Sequence, residues 1–429
     1  RMDSISAPRA SSLLPALGGC LLLACGTTPT PELPTPEARP LDAEGVAARE
    51  AALDAEVEAG LCPGYFFAVA RDGALQATAA SGTSELGRER PFTLTTPVRI
   101  ASMTKPVTAA AVLTLVDAGT IRLDQPASDF VPALGALRVA TDPNRGEDGA
   151  IPTEALARPS TVHDLLSHTS GLNYFFGPPS DLVAMNAALE VEGLATLEAA
   201  VEAIASVPLA RQPGARWAYS WANDVLGRVV EVAAGEPFDA YLEGAILGPL
   251  GMEATGFPLG TAPEGLPPIY VHDESGALVQ DADDLLVESR WPSGGGGLVS
   301  TAADYLRFAQ MLANDGQLEG TRILSEVSAR ALRSDRLTDA QRPARGEDWF
   351  FDAGYGYGVG VAVAGFPDTN AERGAAPGDF GWAGAYDTTF VVSPSRGVVG
   401  VFIAQVTIGA HTPGRCEGTF ARNLHRVAP

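Results

Sequence analysis

Positions 107–116 are apolar or small almost without interruption (VTAAAVLTLV), and no polar stripe is left for water, so the pattern predicts a helix buried on every side. Pro106 is tolerated only in the first turn of a helix, where its missing N–H breaks no bond, so this helix begins close to Ser102. Val46, Leu53, Val57 and Leu61 recur at helical spacing, and residues 41–60 read as an amphipathic helix ended by Gly60. Residues 65–70 and 74–80 flank Asp72-Gly73 and read as a hairpin. Leu123-Asp124-Gln125-Pro126 is a turn, 132–161 a polar loop, and 163–166 a short helix leading into Ser167-His168-Thr169-Ser170-Gly171-Leu172. Residues 180–250 are helical in pattern, with breaks at Pro208, Pro213-Gly214 and Gly235-Glu236-Pro237.

Gly294-Gly295-Gly296-Gly297 is the sharpest break in composition, ahead of a helix over 301–314 that Ser300 can cap. Residues 354–360 alternate like an aromatic strand, 381–392 and 398–406 form a second hairpin, and 416–427 form a last helix. Strands therefore gather at both chain ends and helices in the middle. This predicts an α+β fold: an antiparallel sheet flanked by helices, built from both chain ends (41–100 and 294–429), with a mainly helical domain inserted at 101–293. At 429 residues the chain exceeds one ordinary core, which fits two lobes.

Arg1 and Arg9 precede an apolar stretch, 13–24, in the order of a secretory signal. Leu22-Leu23-Ala24-Cys25 also resembles the bacterial lipoprotein box. That reading makes 1–24 a signal peptide and Cys25 a lipid anchor to a membrane facing the periplasm or exterior. Residues 25–40, rich in Thr and Pro, become the tether. An ordinary signal with an incidental cysteine is the alternative. Cys20 leaves with the leader, so Cys62 and Cys416 remain in an oxidising compartment, either as one disulfide or as two separate thiols. A net charge of −23 argues against nucleic acid as a partner.

The chemistry starts at Ser102. Lys105 lies three residues on, one helical turn above it, so its ammonium can reach the hydroxyl: a Ser-x-x-Lys pair. Of the 29 lysines and arginines, Lys105 is the one lysine. Arginine stays protonated, whereas a desolvated lysine can act as a base, so this position demands something arginine cannot do. An activated serine also needs a proton shuttle and an anion site. Tyr219, in Trp217-Ala218-Tyr219-Ser220-Trp221, is the candidate shuttle, and the Ser102 N–H plus one from a strand edge the candidate anion site. No Gly-x-Ser-x-Gly occurs, which disfavours a conventional α/β-hydrolase. The histidines at 163, 168, 272, 411 and 425 have no metal-ligand spacing, so neither metal nor cofactor is expected.

Residues 99–106 (RIASMTKP), 163–172 (HDLLSHTSGL), Pro213-Gly214, Tyr219-Ser220 and 381–385 (GWAGA) together resemble the serine β-lactamase and penicillin-binding-protein superfamily, closest to its class C-like family VIII carboxylesterases. The resemblance is colinear over roughly residues 45–425. It implies that Ser102 is acylated, Lys105 activates it, and Tyr219 is the general base that also protonates the leaving group. It further implies an oxyanion hole from the Ser102 and Ala385 N–H groups, and an architectural role for 163–172, His168 included.

Two departures bear on substrate. Position 221 is Trp where β-lactamases of this type have the Asn of Tyr-x-Asn, and Trp382-Ala383-Gly384 stands where they have Lys-Thr-Gly. The resemblance thus places Trp221, Trp382 and Gly384 against substrate and points to short-chain, neutral carboxylic esters. A β-lactamase or D-Ala-D-Ala-type peptidase is the alternative within the fold. A non-catalytic scaffold or sensor is the alternative outside catalysis, and the joint presence of Ser102, Lys105 and Tyr219 weighs against it.

Overall fold

β1 (Gly64–Arg71) is buried along its whole length, because it is paired on both edges within a sheet whose two faces are covered. Its side chains alternate between two cores: Tyr65, Phe67 and Val69 on one side, Phe66, Ala68 and Ala70 on the other. In the computed structural model residues 38–281, 289–343, 355–364, 375–407, 414–422 and 427–428 are described, without the side chains of 355, 362 and 364. The predicted leader 1–24, Cys25, most of the 25–40 tether, Gly354, His411, His425 and residues 423–426 of the last predicted helix lie outside the described residues.

β1 pairs with β2 (Ala74–Gly82), and five later strands complete the sheet: β3 (Tyr355–Tyr357), β4 (Ala362–Ala364), β5 (Phe380–Gly384), β6 (Thr388–Ser393) and β7 (Val398–Ile403). Their order is β3-β4-β5-β6-β7-β1-β2, every pair antiparallel. Phe67 opposite Phe402 sets the register between the two chain ends. One face is covered by α1 (Ala43–Glu58), through Leu53, and by the helix Cys416–Arg422, through Phe420. The other face carries the helix Ala302–Ala313, whose Tyr305 meets Phe390 at 5.1 Å. That core continues into α2 (Thr104–Asp117) and α3 (Ala222–Ala234), so sheet and helical segment share one interior, and the chain from Ala38 on forms one unit. In α2 every residue from Thr104 to Leu113 is buried.

Three local expectations are corrected. Thr301, not Ser300, caps the helix after the glycine run, accepting from the Asp304 N–H, because Ser300 is still paired to Val98 in a short ladder. The arm expected over 381–392 is two strands, β5 and β6, since Asp387 takes a left-handed φ of +59° and reverses the chain. The polar loop at 132–161 holds a 3-10 turn (Pro132–Ala136) and a two-residue ladder.

Cys62, entering β1, and Cys416, opening the last described helix, are bonded, with Cα atoms 6.7 Å apart at a sequence separation of 354. A cross-link closing nearly the whole chain restricts the unfolded state strongly. Replacing both cysteines by alanine is expected to lower stability by about 2–5 kcal/mol, read as a drop in the urea midpoint with a steeper slope, because the unfolded chain loses its constraint and exposes more surface. An unmoved midpoint would mean that packing of α1 on the last helix already holds the two ends. Among the described residues no helix is long and apolar enough to cross a membrane.

Candidate active site

Ser102 lies in a 3-10 turn (Ala101–Met103) that runs straight into α2, so its N–H points along the positive end of a buried helix. The turn is sharp. Ala101 is held at φ +42°, a conformation that costs an alanine about 1–2 kcal/mol and needs support from its surroundings. Support comes from both sides. Before the turn, Val98–Arg99 pairs with Val299–Ser300, and Gln405 brackets the Arg99 backbone, donating to its carbonyl and accepting from its N–H, both at 3.1 Å. After it, Tyr305 donates to the Met103 carbonyl at 2.8 Å.

The Ser102 hydroxyl accepts from Tyr219 Oη at 2.8 Å and from Lys105 Nζ at 3.3 Å. Lys105 is fully buried; it also donates to the Gly295 carbonyl at 2.5 Å, and its ammonium lies 4.6 Å from the centre of the Tyr219 ring. The sequence pairs Ser102 with Lys105 and offers Tyr219 as a separate candidate, and the structure brings Lys105 and Tyr219 onto the one serine oxygen.

The Gly295 carbonyl is set by a residue that the sequence reading passed over. Asp224, on α3, accepts from Ser293 Oγ at 2.6 Å and from the Gly295 N–H at 3.0 Å. A Cβ at Gly295 would stand 2.4 Å from the Asp224 carboxylate, so only glycine lets the turn approach. Burial pushes the Asp224 carboxyl up, while the Ser293 hydroxyl and the Lys105 charge pull it back. In outline, Asp224 holds the glycine turn and the turn holds the lysine.

Tyr219 is hung on the 163–172 segment: Ala218 N–H donates to the His168 carbonyl at 2.8 Å and Gly214 N–H to the Thr169 carbonyl at 2.7 Å. His168 is fully buried, 4.9 Å from the Tyr219 ring, with Ser220 Oγ 3.1 Å from Nδ1 and the Asn223 amide 3.3 Å from Nε2. Burial, with the Lys105 charge nearby, holds its pKa well below the ordinary value, so it packs there as a neutral ring.

β5 ends against the Ser102 turn. At Gly384 a Cβ would meet the Ile100 carbonyl at 2.4 Å, so the strand closes on the turn only through glycine, and Ala385 follows as the first, exposed residue of the reversal. Behind Ala385, Asp387 accepts from the N–H groups of Cys416 and Glu417, both at 3.2 Å, and Arg415 donates to the Gly384 carbonyl at 2.8 Å. Trp382, on β5, is half-buried with its ring 5.8 Å from Tyr219.

Trp221 stands elsewhere than expected. It is 4% exposed, and its described ring contacts are Tyr174 at 4.5 Å and Phe175 at 5.3 Å, not Tyr219 or Trp382. Tyr174 stacks on Tyr219 at 5.5 Å, which sets Trp221 one ring back from the hydroxyls. Nearer the hydroxyls stand Tyr174 and Phe176, 5.5 and 6.1 Å from the Tyr219 ring, with Phe175 packed on both; their signal was three adjacent aromatics closed by Gly177-Pro178-Pro179.

The Beta-lactamase family model matches residues 49–415. The chain belongs to the Beta-lactamase family. Within reach of this family member are Protein Rv1367c of Mycobacterium tuberculosis, 34% identical over 83% of this chain and 89% of its own, and Esterase EstB of Burkholderia gladioli, 32% identical over 85% and 91%. The solved structure of EstCE1, titled a hydrolase with promiscuous acyltransferase activity, superposes with a TM-score of 0.72 over 90% of this chain and 99% of its own. At 24% identity that likeness is one of fold: an antiparallel sheet with flanking helices.

Proposed function

We propose that this β-lactamase-family protein is a serine hydrolase of short-chain, neutral carboxylic esters. The observation that carries the reading is the convergence of Tyr219 Oη and Lys105 Nζ on Ser102 Oγ. The Tyr219–Lys105 pair reacts in the form that has already given up one proton to solvent: Ser102 Oγ bonds to the ester carbonyl carbon, the carbonyl π bond opens onto its oxygen, and the serine proton passes to Tyr219 Oη, beside Lys105. The oxyanion is held by the N–H groups of Ser102 and Ala385. Collapse breaks the bond to the alkoxy oxygen, which leaves with a proton from Tyr219. Water then attacks the acyl carbon, gives its proton to Tyr219, and releases the acid with Ser102 restored. Relationship to an esterase, EstB, supports the same chemistry.

The substrate class follows from Trp382, an indole where a cation would grip a carboxylate. Losing a charge-assisted hydrogen bond costs about 1.5–3 kcal/mol, roughly tenfold to over a hundredfold in binding. A neutral ester presents no such group. Assayed side by side, p-nitrophenyl butyrate is expected to exceed a chromogenic cephalosporin in kcat/KM by about a hundredfold or more. Efficient cephalosporin turnover with weak ester turnover would transfer the assignment to a β-lactamase. We also infer export with a lipid anchor at Cys25, a reading supported by the leader pattern and the Cys62–Cys416 bond. Incorporation of labelled palmitate that survives Cys25→Ala would refute the anchor.

A further inference from the structure

We propose that Phe175 and Phe176 form the alcohol-side subsite and direct the enzyme toward esters of aromatic alcohols, an inference that rests on the reading of Ser102 and Tyr219 above. The two rings are 44% and 51% exposed although adjacent in sequence, and they meet edge to face at 5.1 Å. Large apolar groups left side by side in water mark a contact surface. They are firmly underlaid: buried Tyr174 touches both, each at 4.7 Å, and Phe175 also meets buried Trp221. The Trp221 backbone N–H donates to the Asn173 carbonyl at 3.3 Å and ties the start of the loop to α3. Gly177-Pro178-Pro179 and the Ser180 cap of the helix Asp181–Ala187 close its far end. The rings form a preformed platform.

Its place relative to Tyr219 decides what lies on it. The leaving alkoxide must take its proton from Tyr219 Oη, so the alcohol's first carbon comes within about 4 Å of that oxygen and the rest of the alcohol runs over the rings around Tyr219. Of those rings, His168 and Trp217 are buried, as is Tyr174. Trp382 stands on β5, which ends at Gly384 just before Ala385, on the side where the proposed oxyanion hole holds the carbonyl. Phe176, 6.1 Å from Tyr219, is the exposed one. An aromatic alcohol stacks there edge to face, the arrangement that rings prefer.

The test compares ethyl acetate, benzyl acetate and ethyl phenylacetate by pH-stat, since ethoxide and benzyloxide leave with similar basicity. The natural protein is expected to favour benzyl over ethyl acetate by about tenfold or more in kcat/KM. In the double variant Phe175→Ala/Phe176→Ala this ratio falls below about threefold, while the ratio of ethyl phenylacetate to ethyl acetate stays where it was. Phe176→Leu, which keeps apolar bulk, restores part of the benzyl preference. A flat ratio in the natural protein, a benzyl preference that survives both alanines, or a shift confined to the phenylacetate ratio would each overturn the proposal; the last would place the rings on the acyl side. Absence of any Ser102-dependent ester hydrolysis would overturn the underlying reading of the site, and the proposal with it.

Discussion

Ser102→Ala is expected to remove ester hydrolysis, by about 10⁴-fold or more, and at the same time to abolish labelling by a serine-directed fluorophosphonate. Both reactions need the one oxygen that Tyr219 and Lys105 approach together. Alanine leaves the turn intact, because the serine side chain makes no bond that holds Ala101 at its positive φ, so the loss is chemical and thermal unfolding stays within a degree or two of the parent. Residual labelling at another residue would sink the nucleophile assignment. Lys105→Arg extends the test. It keeps the charge, but a planar guanidinium cannot occupy a fully buried slot against the Tyr219 ring while bonding to the Gly295 carbonyl, and it cannot accept a proton. Near-normal turnover in that variant would reduce Lys105 to a supplier of charge.

Tyr219→Phe is expected to lower kcat by about 100-fold or more, with the protein folded and the substrate still bound. The ring remains packed among His168, Tyr174 and Trp217, so only the 2.8 Å bond to Ser102 and the proton route through it are lost. Esters with more acidic alcohols should suffer less, because their alkoxides need less protonation. A uniform loss across leaving groups would show that the hydroxyl positions Ser102 without moving its proton. Unchanged turnover would return Tyr219 to a packing role.

The buried helix behind Ser102 was legible because an all-apolar run admits no solvent face, and Pro106 pinned its start. The β1–β2 hairpin was legible from alternation around Asp72-Gly73. The reversal between β5 and β6 was not, since Asp387 enters the left-handed region without the glycine that announces it. Asp224 gave no local signal either: an aspartate in the first turn of a helix reads as an ordinary dipole partner. Its role exists only because the glycine run, 71 positions on, folds back onto it.

By itself the sequence determined the buried helix, the β1–β2 hairpin, the Ser-x-x-Lys pair and the candidacy of Tyr219, because periodicity, proline placement and residue chemistry act over one or two helical turns. Only the tertiary structure decided that Tyr219, 117 positions away, donates to Ser102, that Trp221 lies behind Tyr174, and that Phe175 and Phe176 stay exposed, with Phe176 6.1 Å from the Tyr219 ring. Those outcomes depend on which surfaces pack when the two chain ends close into one sheet around the helical segment, and side-chain direction across such long separations is set by that packing, not by local spacing.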